Sequence, residues 1–130
     1  MDRRPSVRHE WAMSEYKGTF TAINNTGATI TNVVVQHSTS YWPQGVVVSP
    51  SLASGGSTDQ GQVITSTAET DYWTVSFISG AGVLVVGSNS CGFQSSDNNG
   101  NVVIQLYSGY FSVVKPDSGT CGNLSYNTST

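Results

Sequence analysis

Short runs of β-branched and aromatic residues alternate with polar residues along most of the chain. Trp73, Val75 and Phe77 share one face of such a run, while Thr74 and Ser76 share the other. A period of two is typical of a strand that packs one face on a core and leaves the other in water. No segment shows sustained helical periodicity. The pattern therefore predicts an all-β fold.

Eight strands are predicted, and turn-forming residues separate them. They cover residues 18–23, 29–36, 46–48, 62–65, 72–78, 83–86, 101–107 and 110–114. Strands at this spacing indicate a sandwich or a barrel. Asn24-Asn25-Thr26-Gly27 predicts a hairpin between the first two strands, and Asn99-Gly100 predicts another hairpin turn. We expect a single antiparallel β-sandwich of about eight or more short strands.

The two ends of the chain depart from this pattern. Residues 1–15 show no alternation and carry most of the basic side chains, so we interpret them as a flexible leader or an added segment. Residues 125–130 are rich in Asn, Ser and Thr and predict a loose C-terminal tail. One sandwich domain is expected over residues 16–124.

The chain carries few charges, which restricts its partners. Charged residues make up 10% of the sequence, against about 25% in ordinary soluble proteins. From Gly18 onward, Lys115 is the only Lys or Arg. One cation cannot neutralise several phosphates, so we expect no nucleic-acid partner and no attraction to anionic membranes by charge alone. A lipid or glycan would have to be bound by aromatic and neutral polar groups.

The expected location follows from the absence of membrane-spanning and signal-peptide patterns in the sequence. No apolar run is long enough to span a bilayer, and residues 1–15 lack a signal-peptide pattern. We expect a cytoplasmic protein, with release without a signal peptide as an alternative. Cys91 and Cys121 could be free thiols, one disulfide or links between subunits. In a reducing cytosol, free thiols are favoured.

Sequence motifs of catalysis are missing. There is no Gly-x-Ser-x-Gly elbow, no His-Glu metal motif and no phosphate-binding glycine loop before a helix. His37, at the end of a strand, favours a hydrogen-bonded structural role over a catalytic one. The segment from Asp97 to Asn101 has its glycine too early for a calcium loop and only one carboxylate. We therefore expect no enzyme, no metal and no cofactor.

Five aromatic residues outside the predicted core are the candidate ligand-binding side chains: Tyr41, Trp42, Tyr72, Tyr107 and Tyr110. Tyr and Trp combine a large apolar body with a polar tip, which suits membrane interfaces and sugar faces. The alternative for Trp42 is that it covers the open end of the sandwich. Tyr72 could instead lie under a partner subunit, and Tyr107 with Tyr110 could build a dimer surface.

Several pieces of the sequence, in their order along the chain, resemble a known family. They are Phe20-Thr21-Ala22-Ile23-Asn24-Asn25-Thr26-Gly27, Ile30-Thr31-Asn32-Val33-Val34-Val35-Gln36-His37, Gly55-Gly56-Ser57-Thr58, Asp71-Tyr72-Trp73-Thr74-Val75-Ser76-Phe77, and Cys91 before Asp97 and Val102-Val103-Ile104-Gln105-Leu106. This order resembles a small β-sandwich family first described in proteins up-regulated in long-lived nematodes, with fungal and bacterial members. That family is akin to the aegerolysins, which recognise membrane sphingolipids. The resemblance implies an aegerolysin-like sandwich, pairing between subunits and no catalysis.

These observations together predict a non-catalytic, aegerolysin-like binding module that recognises a lipid headgroup or a membrane surface, in defence or toxicity. The alternatives are a lectin-like glycan-binding protein and a self-assembling structural protein without a small-molecule ligand. The expected partners are a membrane lipid or a glycan, together with a second copy or a related subunit. Asp71 is expected to be a turn residue rather than an anchor for a loop amide.

Overall fold

Residues 15–127, which the computed structural model describes, form two β-sheets packed face to face. The elements are β1 (Glu15–Asn24), β2 (Ile30–Ser38), β3 (Gly45–Leu52), β4 (Gly61–Ser66), β5 (Tyr72–Ile78), β6 (Leu84–Ser90), a 3₁₀ turn (Ser95–Asp97), β7 (Asn101–Leu106), β8 (Tyr110–Val114) and β9 (Thr120–Ser125). One sheet has the strand order β4-β1-β7-β8-β9 and the other has the order β3-β2-β5-β6. The all-β sandwich is therefore confirmed, with one parallel pair, β1 and β7, in an otherwise antiparallel arrangement.

The core lies between the sheets and contains the alternating residues that the sequence pattern selected. Trp73, Val75 and Phe77 of β5 are almost completely buried. Phe20 of the facing sheet packs edge-on against Trp73, with ring centroids 5.6 Å apart. Each large apolar side chain buried in this way contributes about 1.5–3 kcal/mol, so the contacts between the sheets hold the domain together.

The hairpin predicted between the first two strands is wrong. β1 pairs with β4 and β7, whereas β2 pairs with β3 and β5 in the other sheet. The intervening turn therefore crosses between the sheets. Buried Asn24 holds the crossing, because its side-chain amide donates to the carbonyls of Ala28 and Leu52 at 2.7 and 2.8 Å. Two more hydrogen bonds reach its side-chain oxygen from Thr26.

The turn at Asn99-Gly100 also connects the two sheets and is not the predicted hairpin turn. β6 belongs to the four-stranded sheet and β7 to the five-stranded sheet. Asn99 has a φ of 68°, in the left-handed region that Asn tolerates well. A Cβ atom on Gly100 would lie 2.5 Å from Pro116, so a glycine is required there for close packing against that loop.

The buried carboxylate of Asp97 accepts hydrogen bonds from two neighbouring turns and so links them. The backbone N–H groups of Gln94, Asp117 and Ser118 donate to it at 2.9 Å each, and the Ser118 hydroxyl also donates to it. Burial by itself raises the pKa of Asp97, but these hydrogen bonds favour the charged form and leave the pKa below its ordinary value. Asp97 is therefore a structural anion.

The ninth strand and the residues after it were not predicted. β9 lacks alternation and contains Asn123 with a φ of 56°, next to a register irregularity in its pairing with β8. The tail predicted from residue 125 is packed as far as residue 127, because Tyr126 donates to the carbonyl of Tyr107 and Asn127 to that of Val86. Residues 128–130, like residues 1–14 of the predicted leader, lie outside the described range.

Cys91 and Cys121 form a disulfide, which corrects the expectation of free thiols. Cys91 follows β6 of one sheet, and Cys121 lies in β9 of the other. Their Cα atoms are 6.2 Å apart, within the range that disulfides span. The bond therefore links the two sheets along the side of the sandwich where β6 faces β9.

Candidate functional site

The five aromatic candidates do not form one site, because they lie at opposite ends of the sandwich. Tyr41, Trp42 and Tyr72 are at the end formed by the β2–β3 loop and the start of β5, which we call the Trp42 end. Tyr107 and Tyr110 flank the turn between β7 and β8. We call their end, which also holds the turns at residues 25–29 and 79–83, the Tyr107 end.

Trp42 closes the Trp42 end of the sandwich. It is half-buried, and its indole Nε1–H donates to the hydroxyl of buried Ser66 at 3.1 Å. The Tyr41 ring contacts it edge-on at a centroid distance of 4.8 Å and remains 61% exposed. This geometry matches the alternative that Trp42 covers the core, and it leaves Tyr41 as the exposed aromatic ring of the loop.

The buried pair His37 and Asp71 lies under this end. His37 Nε2–H donates to one oxygen of the Asp71 carboxylate at 2.8 Å, and the other oxygen accepts from the Phe93 amide at 2.8 Å. Asp71 is therefore an anchor for a loop amide, not the turn residue that we expected. The imidazole also packs on Trp73, with ring centroids 4.7 Å apart. Because His37 is completely buried, a substrate cannot reach it, and the pair holds strands and loop together.

The Tyr107 end contains a cleft of about 600 Å³ between the two sheets. Its apolar walls are formed by Phe77 of β5, by Val83 just before β6, by Val85 within β6, and by Tyr126 after β9. This volume lies within the range of about 300–1,000 Å³ that is usual for small-molecule sites. The cleft is therefore a concave candidate site of suitable size in the described part of the chain.

An aromatic cluster forms the base of this cleft. Tyr126 meets Phe77 edge-on at 5.7 Å and stacks on Phe111 at 5.8 Å. Gly87 makes room for them, because a Cβ atom there would lie 2.9 Å from Phe111 and 3.0 Å from Tyr126. The Tyr126 hydroxyl donates to the Tyr107 carbonyl at 2.6 Å. Burial raises the pKa of Tyr126 above its ordinary value of 10.0.

The rim of the cleft is polar but uncharged. Hydroxyl groups are supplied by Thr26, Ser79, Ser108 and Ser125, and none of the described lining residues is charged. Ser108 lies between the two candidate tyrosines, whose rings stack with centroids 4.7 Å apart. Apolar walls under a neutral hydroxyl rim suit a ligand with an apolar part and a neutral polar part.

Sequence reasoning missed the residues that build this cleft. The alternation placed Phe77 in the core, but not in a wall of the cleft. Tyr126 fell within the predicted tail. Val83 and Val85 were assigned to a strand with no indication of what they would face. The cleft exists because β6 and the chain after β9 come together, and no local pattern encodes that contact.

Comparison with known protein families and with curated proteins finds no match to this chain. Membership of the nematode, fungal and bacterial family therefore remains a prediction. In the described range, no helix has the length and hydrophobicity required to cross a membrane. Over the same range, no three His, Cys, Asp or Glu side chains are grouped so that they could hold a metal ion.

Proposed function

We propose that this protein is a non-catalytic binding module that holds a neutral, lipid-like amphiphile in the cleft at the Tyr107 end. One observation carries the proposal: the cleft combines apolar walls, a hydroxyl rim and a lining without charge. An anionic headgroup would find no cation there. A neutral amphiphile could place its hydrocarbon against Phe77, Val83 and Val85 and its polar part at the rim.

The energies are sufficient for a weak to moderate ligand. Burying six methylene groups contributes about 5 kcal/mol, and each rim hydrogen bond adds roughly 0.5–1.5 kcal/mol. Micromolar binding requires about 8 kcal/mol, so hydrocarbon and rim contacts must act together. Binding to a lipid surface that offers many ligands would strengthen attachment if the protein also self-associates.

Two further observations support recognition of a lipid surface outside the cytosol. The aegerolysin-like resemblance implies lipid recognition by a sandwich of this kind, and with it a role in defence or toxicity. A disulfide such as Cys91–Cys121 persists mainly in oxidising environments, which supports the expected alternative of release from the cytoplasm.

A lectin-like function is the second candidate, and the stacked rings of Tyr107 and Tyr110 favour it. Aromatic rings beside hydroxyl groups suit the apolar faces and hydroxyls of a sugar. The cleft favours the lipid, because its apolar walls extend between the sheets, whereas a glycan needs an exposed aromatic face. A glycan array that includes glycolipid headgroups separates the two functions.

The test uses vesicles of phosphatidylcholine with and without sphingomyelin, both of which are electrically neutral overall. Ala81→Trp places a large ring at the mouth of the cleft from an exposed turn, and Ala53→Trp makes the same change at an exposed residue outside the lining. We expect the native protein and Ala53→Trp to sediment with vesicles and Ala81→Trp to lose at least tenfold in affinity. Equal binding by both variants, or no binding to either vesicle, would overturn the proposal.

A further inference from the structure

A second cavity, of about 310 Å³, lies at the Trp42 end of the sandwich. It is found where β4 and β6 end and β1 begins, and its lining includes Tyr16, Glu69 and Phe93. We call it the Glu69 cavity. Its volume is near the lower end of the range that is usual for small-molecule sites, so a ligand there must be small.

The wall of the cavity that follows β6 is fixed by three links. The disulfide of Cys91 attaches its start to the other sheet. The Phe93 amide donates to the buried carboxylate of Asp71 at 2.8 Å, and the Gln94 amide donates to that of Asp97 at 2.9 Å. Because these links lie within the protein, the wall has its shape before a ligand arrives.

The carboxylate of Glu69 is also held in place. The backbone N–H and the hydroxyl of Ser40 donate to one of its oxygens at 3.1 and 2.9 Å. The Glu69 amide donates to the carbonyl of Ser66 at 3.1 Å, which fixes the backbone at the same point. Glu69 is half-buried, so its carboxylate lies at the cavity and is not extended into water.

The lining combines aromatic rings with acidic groups. Tyr16 and Phe93 supply the rings, and Glu69 and Asp71 supply the carboxylates. None of the described lining residues is Lys, Arg or His. Lys115 reaches the wall only from outside the lining, where its ammonium group donates to the carbonyl of Gly92 at 2.8 Å. Aromatic faces and carboxylates both attract a cation.

The charges of the described chain are concentrated at this end of the molecule. Asp59 is the exception, and the others are Glu15, Lys17, Glu69, Asp71, Asp97, Lys115 and Asp117. With His37 neutral, five carboxylates stand against two ammonium groups. The field at the Trp42 end therefore favours cations over anions. The cleft at the opposite end differs, because none of its described lining residues is charged.

We propose that the Glu69 cavity binds a small organic cation that carries an ammonium group. The ammonium group lies against Glu69, and its carbon substituents contact the rings of Tyr16 and Phe93. An anion would meet two carboxylates there, and a neutral molecule of the same shape would gain nothing from Glu69. The site does not rest on the proposed function, because the two cavities lie at opposite ends of the sandwich.

A titration of the isotopically labelled full chain, followed by the chemical shifts of its backbone amides, tests the proposal. The two probes are choline and its tert-butyl analogue, which has carbon in place of the charged nitrogen and the same shape. We expect choline to shift the amides of Glu69, Phe93 and Gln94, with a dissociation constant on the order of 1 mM. The uncharged analogue should bind at least about fivefold more weakly.

Three variants separate the charge of the cavity from its shape. Glu69→Gln keeps an acceptor for Ser40 and removes the charge, so choline should bind about threefold more weakly or worse. Asp59→Asn removes the same charge at an exposed residue outside the lining and should bind choline as the native protein does. Gln94→Glu adds a carboxylate at an exposed wall residue and should bind choline more tightly, which a damaged fold would not do.

Equal binding of choline and its analogue, no measurable binding of choline, or shifts confined to the Tyr107 end would overturn the proposal. Unchanged affinity in both Glu69→Gln and Gln94→Glu would also overturn it. Because phosphatidylcholine carries the same ammonium group, vesicle sedimentation identifies the source of the cation. We expect Glu69→Gln to sediment as the native protein does, which assigns the site to a free cation, whereas loss of sedimentation would assign it to a lipid headgroup. A protein that binds choline and no vesicle would overturn only the proposed function.

Discussion

The disulfide that links the two sheets should supply a large share of the stability of the domain. Cys91 and Cys121 are separated by 30 residues. The chain-entropy relation gives about 3.6 kcal/mol for closing a loop of this length in the unfolded chain. Domains of this size are stable by about 5–15 kcal/mol in total. We therefore expect the Cys91→Ala/Cys121→Ala double variant to fold but to lose about 3–4 kcal/mol.

Urea unfolding followed by tryptophan fluorescence measures this loss. Trp73 is buried in the core, so its emission should shift when the domain unfolds. For roughly 110 ordered residues, a loss of about 3.6 kcal/mol corresponds to a fall of about 15 °C in melting temperature. Thiol titration of the unfolded native protein must first show that no free thiol is present.

Reductant provides the matched control. Adding it to the native protein should reproduce the instability of the double variant, and adding it to the double variant should change nothing. If the native protein is fully oxidised and the double variant loses less than about 1 kcal/mol, the entropic reasoning is refuted. If the double variant loses about 3–4 kcal/mol but reductant does not destabilise the native protein, the loss of stability comes from altered packing around Cys91 and not from the missing disulfide.

Two further predictions concern single side chains. Asp97→Asn should lose about 1.5–3 kcal/mol at pH 7, because bonds to a charged acceptor are replaced by bonds to a neutral one. The pKa of Asp97 is lowered on folding, so its contribution is present above the unfolded pKa, near 3.8, and disappears as the pH falls through the folded pKa. The native protein should therefore lose more stability than Asp97→Asn between pH 5 and pH 2 in urea titrations, and equal losses would contradict this role. Trp42→Ala should lower the free energy of unfolding by about 2 kcal/mol, because a half-buried ring and its hydrogen bond to Ser66 disappear. Its sedimentation with vesicles should not change. Tyr41→Ala, which removes a mostly exposed ring, should lower the free energy of unfolding by under about 0.5 kcal/mol. Loss of vesicle binding by Trp42→Ala at native stability would move the ligand site to the Trp42 end.

The elements of the fold were predictable where they rest on local pattern. Alternation placed Trp73, Val75 and Phe77 in the core, and the turn residues separated eight of the nine strands. β9 escaped prediction because its residues do not alternate and its backbone is irregular at Asn123. The hydrogen-bonded structural role of His37 was anticipated, but its partner Asp71 is 34 residues away and had no local signal as an anchor.

The candidate site was much less predictable than the fold. Aromatic residues outside the predicted core were reasonable candidates, yet their positions in the sequence did not reveal that they occupy two opposite ends. Phe77 and Tyr126 lie 49 positions apart in the sequence and meet only because the chain after β9 packs beneath β5 and β6. The cleft is therefore a product of contacts between distant segments.

The sequence by itself determined that the chain forms β-strands, which residues face the core, and that few charged side chains are present. Each of these properties depends on a residue and its near neighbours. Only the tertiary structure decided which strands share a sheet, that two predicted hairpins are crossings, that Cys91 meets Cys121, and where the cleft lies. The physical reason is that a strand has the same period of two whichever strand pairs with it. Its partner is selected by the packing of the whole sandwich.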